Sequence, residues 1–149
     1  MNPPIVLVIF SCRSGETEKL ALSAAVGAVQ ARALIRLRRL PDEGANEGTE
    51  VLVRMQKEYV APTEADILAA DALILAASGL DYSSIPWQRF ISLLGKLEEE
   101  GNLEGKVVTT LGSLSSAIGP GLITVNDPSS DPIALGRSVA DKARSLKST

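Results

Sequence analysis

The sequence predicts an α/β domain with a parallel sheet in three layers, and three observations carry that expectation. Strand-like and helix-like patterns alternate along the chain. Two of the strand patterns, residues 5–10 and 72–77, are apolar without interruption, as strands covered on both faces are. The segments that leave the first, third and fourth strands, residues 11–17, 78–86 and 112–121, are rich in Ser, Gly and Thr. Alternation around buried strands implies parallel pairing, with helices carried by the crossovers.

The elements follow in order. Residues 5–10 read Ile-Val-Leu-Val-Ile-Phe, a β-branched run bounded by polar residues. Residues 17–30 carry Leu20, Ala24 and Gly27 at helical spacing beside Ala21, Ala25 and Ala28, a helix suited to lie close against a sheet. Residues 33–40 form a second strand whose Arg36, Arg38 and Arg39 mark a solvated sheet edge. Residues 41–50 read as a polar loop, and the pattern of residues 51–60 assigns no element. Residues 62–70 predict a short helix with Pro62 in its first turn and Glu64 and Asp66 near its positive end. After the strand at 72–77, residues 86–99 place Trp87, Phe90, Ile91 and Leu94 on one helical face, a core face, with Gly101 past the end. The run Glu98-Glu99-Glu100 is a solvated helix end. Residues 106–111 and 122–125 are strands, and residues 132–146 a closing helix.

At 149 residues the chain is expected to form one domain, residues 1–149. A chain of this size hides roughly 70% of its unfolded surface, so its core needs neither metal nor disulfide. Apolar residues make up 45% and charged residues 22%, as in soluble globular proteins. A net charge of −3 argues against a nucleic-acid partner. The absence of His removes His triads and His-ligated metals, and no other cluster suggests a metal site. The single Cys12 cannot form an intrachain disulfide, which fits a cytoplasmic location. The apolar runs are too short for a membrane span or a signal sequence, so no membrane partner is expected.

In an open parallel sheet, ligands bind outside the carboxyl ends of the strands, where strand order reverses. The three Ser/Gly/Thr-rich segments occupy such ends. The first, Cys12-Arg13-Ser14-Gly15-Glu16-Thr17-Glu18, leaves a buried strand and opens a helix, so its hydroxyls, Gly15 and the free helix-end amides form a phosphate cradle. No Gly-Lys-Ser/Thr end of a Walker A loop is present, and no Gly-x-Gly-x-x-Gly follows the first strand. A cysteine-phosphatase loop starting at Cys12 requires Arg where Glu18 stands, and a receiver domain requires acidic residues where Phe10 and Ala77 stand.

The pattern Cys12-x-Ser14-Gly15-x-Thr17-Glu18-Lys19 resembles, with one substitution, the Thr/Ser-x-Thr-Gly-x-Thr phosphate loop of flavodoxin-type proteins. The approach from Ala61 through Leu75 resembles the flavodoxin-like NAD(P)H:quinone oxidoreductases of the tryptophan-repressor-binding-protein type. The run Gly79-Leu80-Asp81-Tyr82-Ser83-Ser84-Ile85-Pro86, followed by Arg89 and Phe90, resembles the second flavin loop of those enzymes and of the NADPH-dependent FMN reductases. The resemblance spans residues 5–113. It implies a flavodoxin-like three-layer α/β/α fold with strand order 2-1-3-4-5. It implies FMN across the three loops, with Ser11, Arg13, Ser14, Gly15, Glu16 and Thr17 around the phosphate. Ser78, Gly79, Leu80, Asp81, Tyr82 and Ser83 would pass the isoalloxazine edge, Tyr82 as its aromatic neighbour. Gly112, Ser113 and Leu114 would close the other side. NAD(P)H as transient reductant and a small-molecule acceptor such as a quinone complete the implied function.

The chain departs from that pattern at Cys12, which replaces a hydroxyl donor, and at Glu16, which brings a carboxylate to an anion loop. Leu80 and Asp81 stand where the quinone reductases carry aromatic and basic residues, and the third loop lacks their Thr-Gly-Gly run. Those enzymes carry several dozen further residues near Ala117 and Ile118, so the fourth helix, between the fourth and fifth strands, is expected to be shortened or missing. A sheet face left bare there is unfavourable in water at roughly 25 cal/mol per Å², and a homo-oligomer that covers it is expected. The alternatives to an FMN oxidoreductase are a flavodoxin-like binding or assembly module that has lost FMN, and a flavodoxin-type electron carrier.

Overall fold

A computed structural model describes residues 3–11, 16–40, 58–77, 85–102, 106–112, 123–124 and 132–147. Its elements are β1 (Ile5–Phe10), α1 (Glu16–Gln30), β2 (Leu34–Arg39), α2 (Glu64–Ala69), β3 (Ala72–Ala77), α3 (Ile85–Glu99), β4 (Val107–Gly112), β5 (Ile123–Thr124) and α4 (Pro132–Lys147). The five strands form one sheet in the order β2-β1-β3-β4-β5, every neighbouring pair parallel, as the sequence predicts. Among the described residues no helix is long and apolar enough to cross a membrane.

Side-chain alternation along the strands feeds two separate cores. Val6, Val8 and Phe10 of β1 and Ala72, Ile74 and Ala76 of β3 point to the layer of α1 and α4. Leu7, Ile9, Leu73 and Leu75 point to the layer of α2 and α3. Val6 through Phe10 are fully buried, which explains the uninterrupted apolar run.

The two layers are packed with side chains of different size. On the first face, Ala21, Ala24, Ala25 and Ala28 of α1 meet Leu135, Val139, Ala140 and Ala143 of α4. The helices touch backbone to backbone: a Cβ on Gly27 would lie 1.9 Å from the Ile133 carbonyl oxygen, and one on Gly136 1.9 Å from the Ala24 carbonyl oxygen. Leu20, which shares their spacing, lies at the margin and is exposed. On the second face Trp87, Phe90, Leu94 and Leu97 of α3 fill the space, with the Trp87 and Phe90 rings edge to face at 5.8 Å.

Both long helices that precede a strand end in the same hydrogen-bonded cap. After α3, Asn102 N–H donates to the Leu97 carbonyl and Gly101 N–H to the Glu98 carbonyl, with Gly101 at φ 78°. After α1, Ala33 N–H donates to the Ala28 carbonyl and Arg32 N–H to the Val29 carbonyl. There the left-handed position is held by Arg32 at φ 66° rather than by glycine. Ala33 therefore belongs to the cap, and β2 starts at Leu34.

The six residues of α2 are too few to stand alone, and polar ties fasten both ends. Thr63 is the N-cap, so Pro62 precedes the helix instead of lying in its first turn. The Asp66 carboxylate accepts from Thr63 N–H at 3.0 Å and from Arg38 Nε at 3.0 Å and Nη2 at 3.3 Å, while Arg36 Nη1 stands 3.6 Å away. At the other end Lys106 Nζ donates to the Leu68 and Ala70 carbonyls, the groups a helix leaves free. Burial lowers the Lys106 pKa, and the Asp71 carboxylate partly offsets that.

The edge arginines are therefore not a uniform solvated surface. Arg36 and Arg38 fasten α2, and Arg39 is buried, 4% exposed. Arg39 N–H, on the outer edge of β2, donates to the Val60 carbonyl at 2.9 Å, which closes part of that edge. The expected loss of the helix between β4 and β5, and the bare face beside it, concern residues 113–122, outside the described residues.

Gly27→Ala and Gly136→Ala are each expected to destabilise by about 3 kcal/mol, because each methyl meets backbone that cannot yield without moving a helix; urea unfolding reads this, and unchanged midpoints would contradict it. Burial opposes ionisation of Asp66, but the hydrogen bonds from Arg38 and Thr63 outweigh it and hold its pKa below the ordinary 3.8. A lowered carboxyl pKa stabilises above the unfolded-chain value and ceases to do so as pH falls through the folded value. Wild type should thus exceed Asp66→Asn in melting temperature at pH 6, and the gap should close below about pH 4.

Candidate functional site

Strand order reverses at β1, which has β2 on one side and β3 on the other. The carboxyl ends of β1 and β3 therefore open the crevice where such sheets bind ligands. Phe10 stands opposite Ala76, and Ala77 opposite Gly112. The three predicted loops thus spring from adjacent strands, each about 4.8 Å from the next. Ser11 continues β1 into this crevice: its N–H donates to the Ala76 carbonyl at 3.2 Å, while the Phe10 carbonyl accepts from Leu40 N–H at 2.9 Å.

The Ser11 side chain is 6% exposed, and its hydroxyl oxygen accepts from Trp87 Nε1–H at 2.5 Å. Trp87 is a core residue, as its helical position predicts. It is also more than that, because its indole N–H fixes Ser11, the first residue after β1 in the predicted phosphate loop. A hydroxyl that accepts this bond still has its own proton to donate.

The backbone of Glu16 and Thr17 opens α1, so the first free amides of the helix lie just beyond the loop. Glu18, in that first turn, is 6% exposed and accepts from the Tyr59 hydroxyl at 2.7 Å. The Tyr59 ring stands edge to face on Phe10 at 4.9 Å. The Glu18 carboxylate is turned into the protein rather than standing at the open helix end. Its negative charge is therefore directed away from that end, whereas the Glu16 side chain lies outside the described residues. Arg39, opposite Phe10 in register, is buried on the same sheet face.

Of the predicted site residues, Ser11 and Gly112 and the backbone of Glu16 and Thr17 come together at one end of the sheet. Arg13, Ser14 and Gly15 of the first loop lie outside the described residues. So do Ser78, Gly79, Leu80, Asp81, Tyr82 and Ser83 of the second loop, and Ser113 and Leu114 of the third. Two described donors fit a phosphate group, a helix opening and a buried hydroxyl with a proton to give, and the neighbouring Glu18 carboxylate accepts from Tyr59 instead. Tyr59 and the Trp87–Ser11 bond were not legible as parts of the site. Tyr59 falls in a stretch without periodicity, and Trp87 bonds across 76 residues of sequence.

No family model matches this chain, and no curated protein matches it in sequence. Solved structures do match it. The flavodoxin, WrbA-like protein from Agrobacterium tumefaciens has a TM-score of 0.58 at 17% identity, over 96% of this chain and 99% of that one. A flavodoxin from the domain Archaea has a TM-score of 0.59 at 15% identity, over 94% and 99%. The two-electron reduced flavodoxin of Megasphaera elsdenii has a TM-score of 0.59 at 17% identity, over 91% and 98%. The fold is flavodoxin-like, and this chain spans nearly the whole of each of these three.

Trp87→Phe removes the indole N–H from Ser11 together with part of a fully buried ring. It is expected to destabilise by about 2 kcal/mol. Thermal unfolding measures this, and a shift below one degree would count against the bond.

Proposed function

We propose that this protein binds FMN across the carboxyl ends of β1, β3 and β4 and acts as an oxidoreductase, reducing quinones or similar acceptors with NAD(P)H. The observation that carries the reading is the junction of β1 with α1. A buried strand ends in a Ser/Gly loop beside the free amides of a long helix, at the point where strand order reverses. Ser11, Arg13, Ser14, Gly15, Glu16 and Thr17 would hold the phosphate, through the hydroxyls, the amides and one cation. Ser78, Gly79, Leu80, Asp81, Tyr82 and Ser83, with Gly112, Ser113 and Leu114, would flank the ring. Bound FMN supplies the hydride and electron transfer, so a chain without His lacks nothing essential to this chemistry. The protein's share is to orient the ring, to exclude water from one side of it and to meet the phosphate with fixed dipoles. A homo-oligomer and a small-molecule acceptor belong to the same proposal.

Titration of the purified protein with FMN, followed by flavin fluorescence and by the absorbance band near ~450 nm, tests the reading. Binding in the micromolar range or tighter is expected, with NAD(P)H oxidation that depends on added quinone. No binding at about 100 μM FMN would overturn it in favour of a module without flavin. Binding without NAD(P)H oxidation would favour an electron carrier.

A further inference from the structure

The loop that would receive the phosphate begins after Phe10 and ends before Glu18, and one side chain holds both of these residues. The Tyr59 ring stands edge to face on Phe10, with centroids 4.9 Å apart and planes at 89°. Its hydroxyl donates to Glu18 Oε2 at 2.7 Å. Tyr59 thus spans the two ends of the loop from outside it. It comes from a distant stretch of chain, 41 residues beyond Glu18, and that stretch is itself anchored where the Val60 carbonyl accepts from Arg39 N–H on the outer edge of β2.

Resting on the FMN reading above, we infer that Tyr59 is a positioning residue for the phosphate. By tying Phe10 to Glu18 it sets the distance between the end of β1 and the first turn of α1, and so the aim of the free amides of that turn. The amides that meet an anion at a helix start belong to the first turn, and Glu18 is in that turn. A carboxylate there that accepts from the Tyr59 hydroxyl is directed away from the anion, and one that loses this bond is held there less firmly. The bond therefore does two things: it shapes the cradle and it keeps a negative charge turned away from it.

The role predicts an effect selective for phosphate, which a purely structural side chain would not produce. Tyr59→Phe keeps the ring on Phe10 and removes only the hydroxyl. It is expected to weaken FMN binding about tenfold while leaving riboflavin, which lacks the phosphate, within about twofold of wild type. Glu18→Ala should repeat the phosphate-selective loss. Glu18→Gln, which keeps an acceptor for the Tyr59 hydroxyl and removes the charge, should retain wild-type FMN affinity or exceed it. The measurements are fluorescence titrations with FMN and with riboflavin, on variants whose far-UV circular dichroism matches wild type. Should Tyr59→Phe weaken both ligands equally, or neither, or should Glu18→Gln fall as far as Glu18→Ala, the positioning role is overturned and the FMN reading stands. A wild-type protein that binds riboflavin and FMN equally overturns the inference too. One that binds neither overturns the FMN reading, and the inference with it.

Discussion

The approach of α1 to α4, so close that a Cβ on either Gly27 or Gly136 would strike the backbone of the other helix at 1.9 Å, fixes how α1 lies on the sheet. Contact at this range is possible only where both helices present small residues, and Ala21, Ala24, Ala28, Ala140 and Ala143 extend it above and below the glycines. A helix held along its length by backbone contact cannot roll or slide without breaking van der Waals packing on two sides. The body of α1 is thereby held on the sheet, and Tyr59 ties its first turn to the end of β1 through Glu18 and Phe10.

The opposite layer solves a different problem. There α2 is only six residues long, below the length at which a helix is self-sustaining. Its stability is borrowed from charge: Asp66 receives Arg38 and Thr63, and Lys106 covers the carbonyls at the far end. These ties also dispose of the arginines of an edge strand, which would otherwise stand as unpaired charge beside open backbone. Trp87 and Phe90 of α3 then fill the remaining volume, and through the Ser11 hydroxyl this layer reaches the site. The end of β1 is consequently clamped from both faces, by Trp87 below and by Tyr59 above.

Most of the framework was legible in the sequence because its signals are local. The uninterrupted runs at Ile5–Phe10 and Ala72–Ala77 announce central strands, the alanine-rich pattern of α1 announces a close-packed helix, and Gly101 announces the end of α3. The parts that misled are those where one residue serves a partner elsewhere. Arg39 reads as an edge charge yet is buried, and Pro62 reads as a first-turn proline yet precedes the cap formed by Thr63 and Asp66. Arg32 carries no mark of its left-handed backbone, since the usual signal at such a position is glycine.

The sequence by itself determined the order of strands and helices and the parallel class of the sheet, and it marked the carboxyl ends of β1, β3 and β4 as the place to expect a ligand. Each of these follows from hydrophobic period and turn chemistry, which are written into neighbouring residues. Only the tertiary structure decided that Trp87 holds Ser11 and that Tyr59 joins Phe10 to Glu18. Those partners lie 76 and 41 residues apart, and a hydrogen bond between distant residues leaves no period in a chain. It exists because folding brings one donor and one acceptor together, wholly out of water for Trp87 and Ser11 and partly so for Tyr59 and Glu18.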